Sequence, residues 1–303
     1  MKVGIFYTSI TNWQHSPPKK AAMEDFTKGV LACGDRPIDF KDPNKRIEDL
    51  DAGFILGYSR SPGSRLTLIN SLIKKNIPRI YIDSDVFVDG KKEVKCYRYS
   101  VNGVYPSDGE YFLNFKHDPN KTQRILDIHN IKMKPWRKNG DHILVLGQRT
   151  QGWNMIDKNG LAWIYEIIQK IKQHTNRPIV VRFHPGDSTL NIKNRHKLNL
   201  KFGSEIRISN KEKLLDDLQN AWCCVGYNST PNCASAIEGI PVYLDRPEYS
   251  WAKDVGFTDL SQIEDPPMPE RDQWLHKIAH IHYTDDEIVN GFYWKRYKEF
   301  YKI

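Results

Sequence analysis

Three short turns carry side chains suited to holding an anion. They are Gly147-Gln148-Arg149-Thr150, Arg182-Phe183-His184-Pro185-Gly186 and Asn228-Ser229-Thr230, and each follows a short apolar run. Such a run, bounded by turn residues, reads as a buried strand. Arg149 and Arg182 bring guanidinium groups, His184 an imidazole, Gln148 and Asn228 carboxamides, Ser229 and Thr230 hydroxyls. The third turn opens the stretch VGYNSTPNCASAIEGIPVYL, in which Pro231 fits the first turn of a helix. The N–H groups of that turn add partial positive charge. A histidine after a strand is more often structural than functional, and Asn-Ser-Thr is often only a helix cap. In a parallel sheet, however, the three strand ends lie on one edge, and together they suit a diphosphate.

The elements that must position these turns alternate along the chain. KVGIFYT, AGFILGY and IPRIYIDSD read as strands, with helices over Lys20–Ala32 and in SRLTLINSLIKKN, which makes a parallel βαβ unit. Val86–Asp118 reads as less regular, and Thr122–Ile131 as a further helix. The polar stretch KMKPWRKNGD, with Pro135 and Gly140, reads as a linker. The pattern then restarts with HILVLGQ, GLAWIYEIIQKIKQHTN, RPIVVRFHP, EKLLDDLQNA, AWCCVGYN, PNCASAIEG and IPVYL. The expected fold is α/β: two Rossmann-like domains, 1–135 and 136–303, facing across a cleft. A C-terminal helical tail follows from Pro266, and its end is expected to pack on the first domain.

Composition narrows the classes. At 303 residues, the chain suits two domains of ordinary size. No apolar run approaches the ~20 residues of a membrane span, so membrane insertion is not expected. MKVGIFYTSI reads as a strand, not a signal peptide. The five cysteines have no metal or redox spacing, which points to a reducing, cytoplasmic setting without a metal site. The net charge of +8 suits an anionic partner such as a nucleotide, a nucleic acid or an acidic glycan. No long amphipathic basic helix is evident, which counts against a membrane-bound acceptor.

RFHP followed by YNSTPNCASAIEGIPVYL resembles glycosyltransferases of the GT-B class, in the capsule-polysaccharide and sialyltransferase-like branches with their His-Pro and Ser-Ser/Thr motifs. LGQRTQGW, YRYSVNGVYP and the tail DQWLHKIAHIHYTDDEIVNGFYW look like a subgroup met in bacteriophage genomes, whose setting would be the host cytoplasm. The resemblance covers most of residues 50–300. It implies a nucleotide-sugar donor in the second domain, with His184, Ser229 and Thr230 around its phosphates and no metal or further cofactor. Gln148, Arg149, Arg182 and Asn228 join them in our reading. Many GT-B enzymes hold the donor ribose with a glutamate in a Glu-Ala-x-x-x-Gly-x-Pro-Val helix. Ser235 stands there in this chain, and Glu238 substitutes only if the helix is turned.

The first domain is expected to hold the acceptor and a base, since transfer needs a group within hydrogen-bond reach of the acceptor hydroxyl. Asp83 and Asp85 end the third strand; we assign Asp85 as the base, with Asp108 second and His184 as the other catalytic residue. Ser9, Asn12, Tyr58, Ser59, Arg60, Arg98 and Asn102 are the acceptor candidates. The expected function is transfer of a hexose or pentose to a hydroxymethylated pyrimidine of DNA, which would require base flipping. The rivals are a polysaccharide or lipid glycan acceptor, a non-catalytic nucleotide- or nucleic-acid-binding protein on the same scaffold, and a sugar-nucleotide epimerase.

Overall fold

A computed structural model describes residues 1–9, 17–42, 46–47, 49–60, 62–87, 95–116, 118–149, 155 and 159–303. The chain forms two compact units. The first comprises residues 1–85, 89–130 and 275–303; the second comprises 86–88 and 131–274.

The first unit holds β1 (Lys2–Ile5), α1 (Pro17–Ala32), β2 (Arg36–Asp39), β3 (Ala52–Leu56), α2 (Ser64–Lys74), β4 (Arg79–Asp83), β5 (Cys96–Val101) and α3 (Pro119–Ile128). The second holds β6 (His142–Leu146), α4 (Gly160–Ile171), β7 (Ile179–Arg182), α5 (Ser188–Phe202), β8 (Ile206–Ile208), α6 (Leu214–Leu218), β9 (Ala221–Gly226), α7 (Pro231–Ile237) and β10 (Val242–Leu244). The chain passes from the second unit back to the first within α8 (Asp272–His280). It continues through β11 (His282–Thr284), α9 (Asp285–Val289) and α10 (Phe292–Tyr301).

The second sheet has the order β10-β9-β6-β7-β8, and every pairing is parallel. β6 and β9 are buried along their whole length, which is why they read as unbroken apolar runs. On α4, Leu161, Ile164, Ile168 and Ile171 recur at helical spacing and are buried with Trp163 and Ile167 against Ile143, Val145, Val181 and Val225. Each such aliphatic contributes about 1.5–3 kcal/mol on full burial. Asn159 caps α4, its side chain accepting from Leu161 N–H at 2.8 Å.

The first sheet runs β11-β5-β4-β3-β1-β2. Its core strands β2, β1, β3 and β4 are parallel, but β5 is antiparallel to β4 and β11 to β5. So the stretch read as irregular contains a strand, and the tail, helical in α8, α9 and α10, contributes a second one. β5 has Arg98 at its centre, only 5% exposed, which conceals the strand from a hydropathy reading. Arg98 donates to Asp83 Oδ2 at 2.8 Å, and this partner makes its burial tolerable. The tail's Tyr283, Tyr293, Trp294 and Tyr297 complete the core of this unit with Phe26, Phe54 and Tyr99. Thr284 and Glu287 form a capping box at the start of α9.

Candidate functional site

The register of the second sheet brings four of its strands to a common edge. Leu146 pairs with Arg182 on one side and Gly226 on the other, and Gly226 pairs with Leu244. The residues just beyond these positions therefore emerge together at the carboxyl ends. Gly147 N–H donates to the Arg182 carbonyl at 2.8 Å, tying the first turn to the second. Gln148 Nε2 donates to Asn228 Oδ1 at 2.5 Å, tying the first to the third, and Gln148 is buried.

His184 and Arg149 meet around Gly186. Gly186 N–H donates to His184 Nδ1 at 2.9 Å. The proton of the neutral ring is thus on Nε2, which makes Nε2 a donor. A Cβ on Gly186 would lie 2.5 Å from Arg149 Nη2 and 3.0 Å from His184 Cε1, so both side chains close around this glycine. An exposed guanidinium beside an imidazole that donates from Nε2 has the chemistry to bind an anion.

Several expected members are placed elsewhere. Arg182 turns to the α6 side of the sheet. Its guanidinium donates to Asp217 Oδ2 at 2.6 Å and to the carbonyls of Lys211, Glu212 and Lys213. It is a structural clamp, because Asp217 is buried and demands a cation. Glu238 caps the far end of α7 and pairs with Lys134. Ser235, at the position where the family's glutamate would stand, is fully buried and donates to the Pro231 carbonyl at 2.9 Å. α7 itself has only seven residues, and Thr230 makes no side-chain cap. The amides of Asn232 and Cys233 are spent on the Ser229 and Thr230 carbonyls, and Pro231 has none. The helix start therefore offers fewer donors than the sequence suggests. Ser229 is buried and Thr230 half-buried in this turn.

Two features of the edge escaped the sequence reading. Asp245 and Arg246 follow β10, the fourth strand end. Their amides bond to the Gly226 and Tyr227 carbonyls, while Asp245 accepts from Trp163 Nε1 at 3.2 Å. The signal was present, since IPVYL reads as a strand as clearly as the other three. Asn232 is fully buried with its carboxamide against Gly226, and among the described residues neither end has a hydrogen-bond partner.

In the first unit, Asp85 is held between two buried imidazoles. Its Oδ2 lies 3.2 Å from His129 Nε2 and its Oδ1 3.3 Å from His282 Nε2. His282 Nδ1 faces the Ile278 carbonyl at 2.7 Å. Burial pushes the His282 pKa down, with Asp85 opposing. Tyr58, Arg60 and Asp108 form a separate group. The Arg60 guanidinium lies 5.3 Å from the Tyr105 ring centre and 5.8 Å from that of Tyr58, with Asp108 Oδ2 at 4.0 Å. Burial raises the Asp108 carboxyl above its ordinary range, against the lowering effect of the Tyr105 amide and Arg60. Ser59 is half-buried between Tyr58 and Arg60.

The other acceptor candidates divide. Arg98 joins Asp83 and also donates to the Ser84 carbonyl at 2.6 Å. Ser9 is buried, donating to the Phe6 carbonyl and accepting from Leu56 N–H. Asn102 sits at the opposite end of β4, accepting from Arg79 N–H at 3.1 Å. Asn12 and Thr150 lie outside the described residues.

No protein-family model matches the chain, and no curated protein matches it. Solved structures do. KpsC of Thermosulfurimonas dismutans, titled a beta Kdo 2,4 transferase, is similar over 92% of this chain and 90% of its own, at 16% identity and a TM-score of 0.58. The same organism's KpsC titled a beta Kdo 2,7 transferase is similar over 97% and 98%, at 14% identity and 0.55. The fold is accordingly GT-B glycosyltransferase-like: α/β, with two units built on sheets whose central strands are parallel, and a mainly helical C-terminal tail. Among the described residues no helix is long and apolar enough to cross a membrane.

Proposed function

We propose that the chain is a glycosyltransferase that moves a sugar from a nucleotide-sugar donor to an acceptor hydroxyl. One observation carries the reading: Arg149, His184 and the Gln148–Asn228 pair lie in turns just beyond the carboxyl ends of neighbouring strands of the second sheet. In this reading His184 Nε2 and Arg149 hold the donor phosphate and stabilise it as it leaves. The anomeric carbon–oxygen bond to phosphate breaks, and a bond to the acceptor oxygen forms. The acceptor's proton passes to Asp85, which His129 and His282 hold in place. Tyr58, Ser59 and Arg60 bind the acceptor; Arg182, Glu238, Ser9 and Asn102 have structural tasks instead.

For the acceptor we favour a sugar hydroxyl of a glycan; what supports it is that both similar structures are titled Kdo transferases and neither title names DNA. A hydroxymethylated pyrimidine in DNA rests on the +8 net charge and on the resemblance of LGQRTQGW, YRYSVNGVYP and the tail to a bacteriophage subgroup, and neither similar structure adds to it. The test is a panel of nucleotide sugars offered with glycan acceptors and, separately, with hydroxymethylcytosine DNA, read by mass spectrometry. A sugar mass increment on a glycan, abolished by His184→Ala and by Asp85→Asn, is expected. An increment on the DNA nucleoside would replace our acceptor. Donor consumption without any acceptor, or none at all, would defeat the transferase reading.

A further inference from the structure

Helix α5 presents an outer face that the interior of its unit does not explain. Leu198 and Phe202 bury its inner side in the core of the second unit. A helix seated this way ordinarily shows solvent a polar face. Here Ile192 and Leu200 point outward, 74% and 75% exposed, more than any other large hydrophobic residue described. They stand eight residues apart with His196 midway, so they lie on one side of the helix about 12 Å apart. Lys193, Lys197 and Lys201 form a second row, one residue further along at the same spacing, and all are exposed. The helix has four fixed positive charges, counting Arg195, and no carboxylate. Among the described residues none of the three lysines has a carboxylate within ion-pair distance, although Lys201 lies 4.7 Å from the Tyr165 ring centre.

We infer that this face docks the protein reversibly on an anionic lipid surface. The lysine row, free of carboxylates, favours a negative partner. The exposed aliphatics select a lipid over a polyanion, because phosphate rows offer nothing apolar for Ile192 and Leu200 to enter. A helix lying in the interfacial plane with its aliphatics inward and its lysines at headgroup level satisfies both rows. The hydropathy pattern conceals this face because α5 buries aliphatics on its inner side as well. The inference does not depend on the donor site and stands or falls apart from it.

The test is co-sedimentation of the full chain with phosphatidylcholine vesicles, with and without phosphatidylglycerol, at low and high salt. Binding is expected only with phosphatidylglycerol, and it should weaken as salt rises. Replacing Lys193, Lys197 and Lys201 by alanine should lower partitioning roughly a hundredfold, at about fivefold per lysine. Ile192→Ser with Leu200→Ser should lower it at least about tenfold while leaving every charge in place. All five side chains are exposed, and unchanged melting temperatures would confirm intact folding. Absence of phosphatidylglycerol-dependent binding overturns the inference, as does binding that survives the lysine substitutions. Loss with the lysine variant but not with the Ile192/Leu200 variant would also overturn it. If duplex DNA shifts in a gel with that same pattern, the face belongs to nucleic acid.

Discussion

Gly186→Ala separates the anion site from the stability of the unit that carries it. An added Cβ would lie 2.5 Å from Arg149 Nη2 and 3.0 Å from Arg149 Nε and His184 Cε1, whereas ordinary contact begins near 3.4 Å. The guanidinium must therefore retreat by about 1 Å. It can, because it is the far end of a flexible, exposed side chain. Gly186 does not occupy the left-handed region, so alanine fits the backbone and should add about 0.4–1 kcal/mol of stability by restricting the unfolded chain. What is lost, on the proposed reading of the site, is the charged hydrogen bond from Arg149 to the donor phosphate, worth about 1.5–3 kcal/mol. That corresponds to donor affinity weaker by roughly 10- to 150-fold. Calorimetric titration with the donor, paired with a thermal melt, reads both quantities. Weaker binding at an equal or slightly higher melting temperature is expected. Affinity within about twofold of the parent would refute the placement of Arg149 at the phosphate.

Other consequences follow from the same geometry. Asp85→Asn should lower turnover by about 10²–10⁴-fold while leaving donor affinity intact, which single-turnover kinetics and titration separate. Arg182→Met should cost about 3–5 kcal/mol in denaturant unfolding, because Asp217 is left buried without its cation, while donor affinity of the folded fraction stays unchanged. Lys121 is almost wholly buried, and burial pushes its pKa down to about 7 from an ordinary 10.5. The unfolded chain therefore holds this proton more tightly. Its contribution to stability should be flat below about pH 7 and rise by about 1.4 kcal/mol per pH unit above it, toward 10.5. Denaturant titrations of the parent and Lys121→Met between pH 6 and 9 should show this slope only in the parent.

The α/β alternation was legible because β6, β7 and β9 are continuous apolar runs between helices of clear periodicity. The strands that escaped were short edge elements or carried buried polar residues. β2 includes Pro37 and lies half-exposed at an edge; β5 is interrupted by Arg98; β11 has only three residues. The candidate site was legible in part, for the same kind of reason. Arg149 and Arg182 both follow strands and look equivalent in the sequence. Which of them faces the edge is decided by Asp217, 35 residues beyond Arg182. Asp85 could be chosen as a strand-end carboxylate, but its two imidazoles come from residues 129 and 282. Such partners are set by tertiary packing and leave no local pattern. The ribose position failed differently: Ser235 is a helix residue turned into the core, and its burial follows from α7 packing on β9 rather than from the motif around it.

The central claim is that the carboxyl edge of the second sheet holds the phosphate of a nucleotide sugar. Equilibrium binding of a nucleotide-sugar panel to the full chain and to His184→Ala tests it most directly. At least one donor should bind the parent and bind His184→Ala roughly 10- to 150-fold more weakly, by loss of one hydrogen bond to a charged group. Failure of every donor to bind, or equal affinity for the two proteins, would contradict the claim.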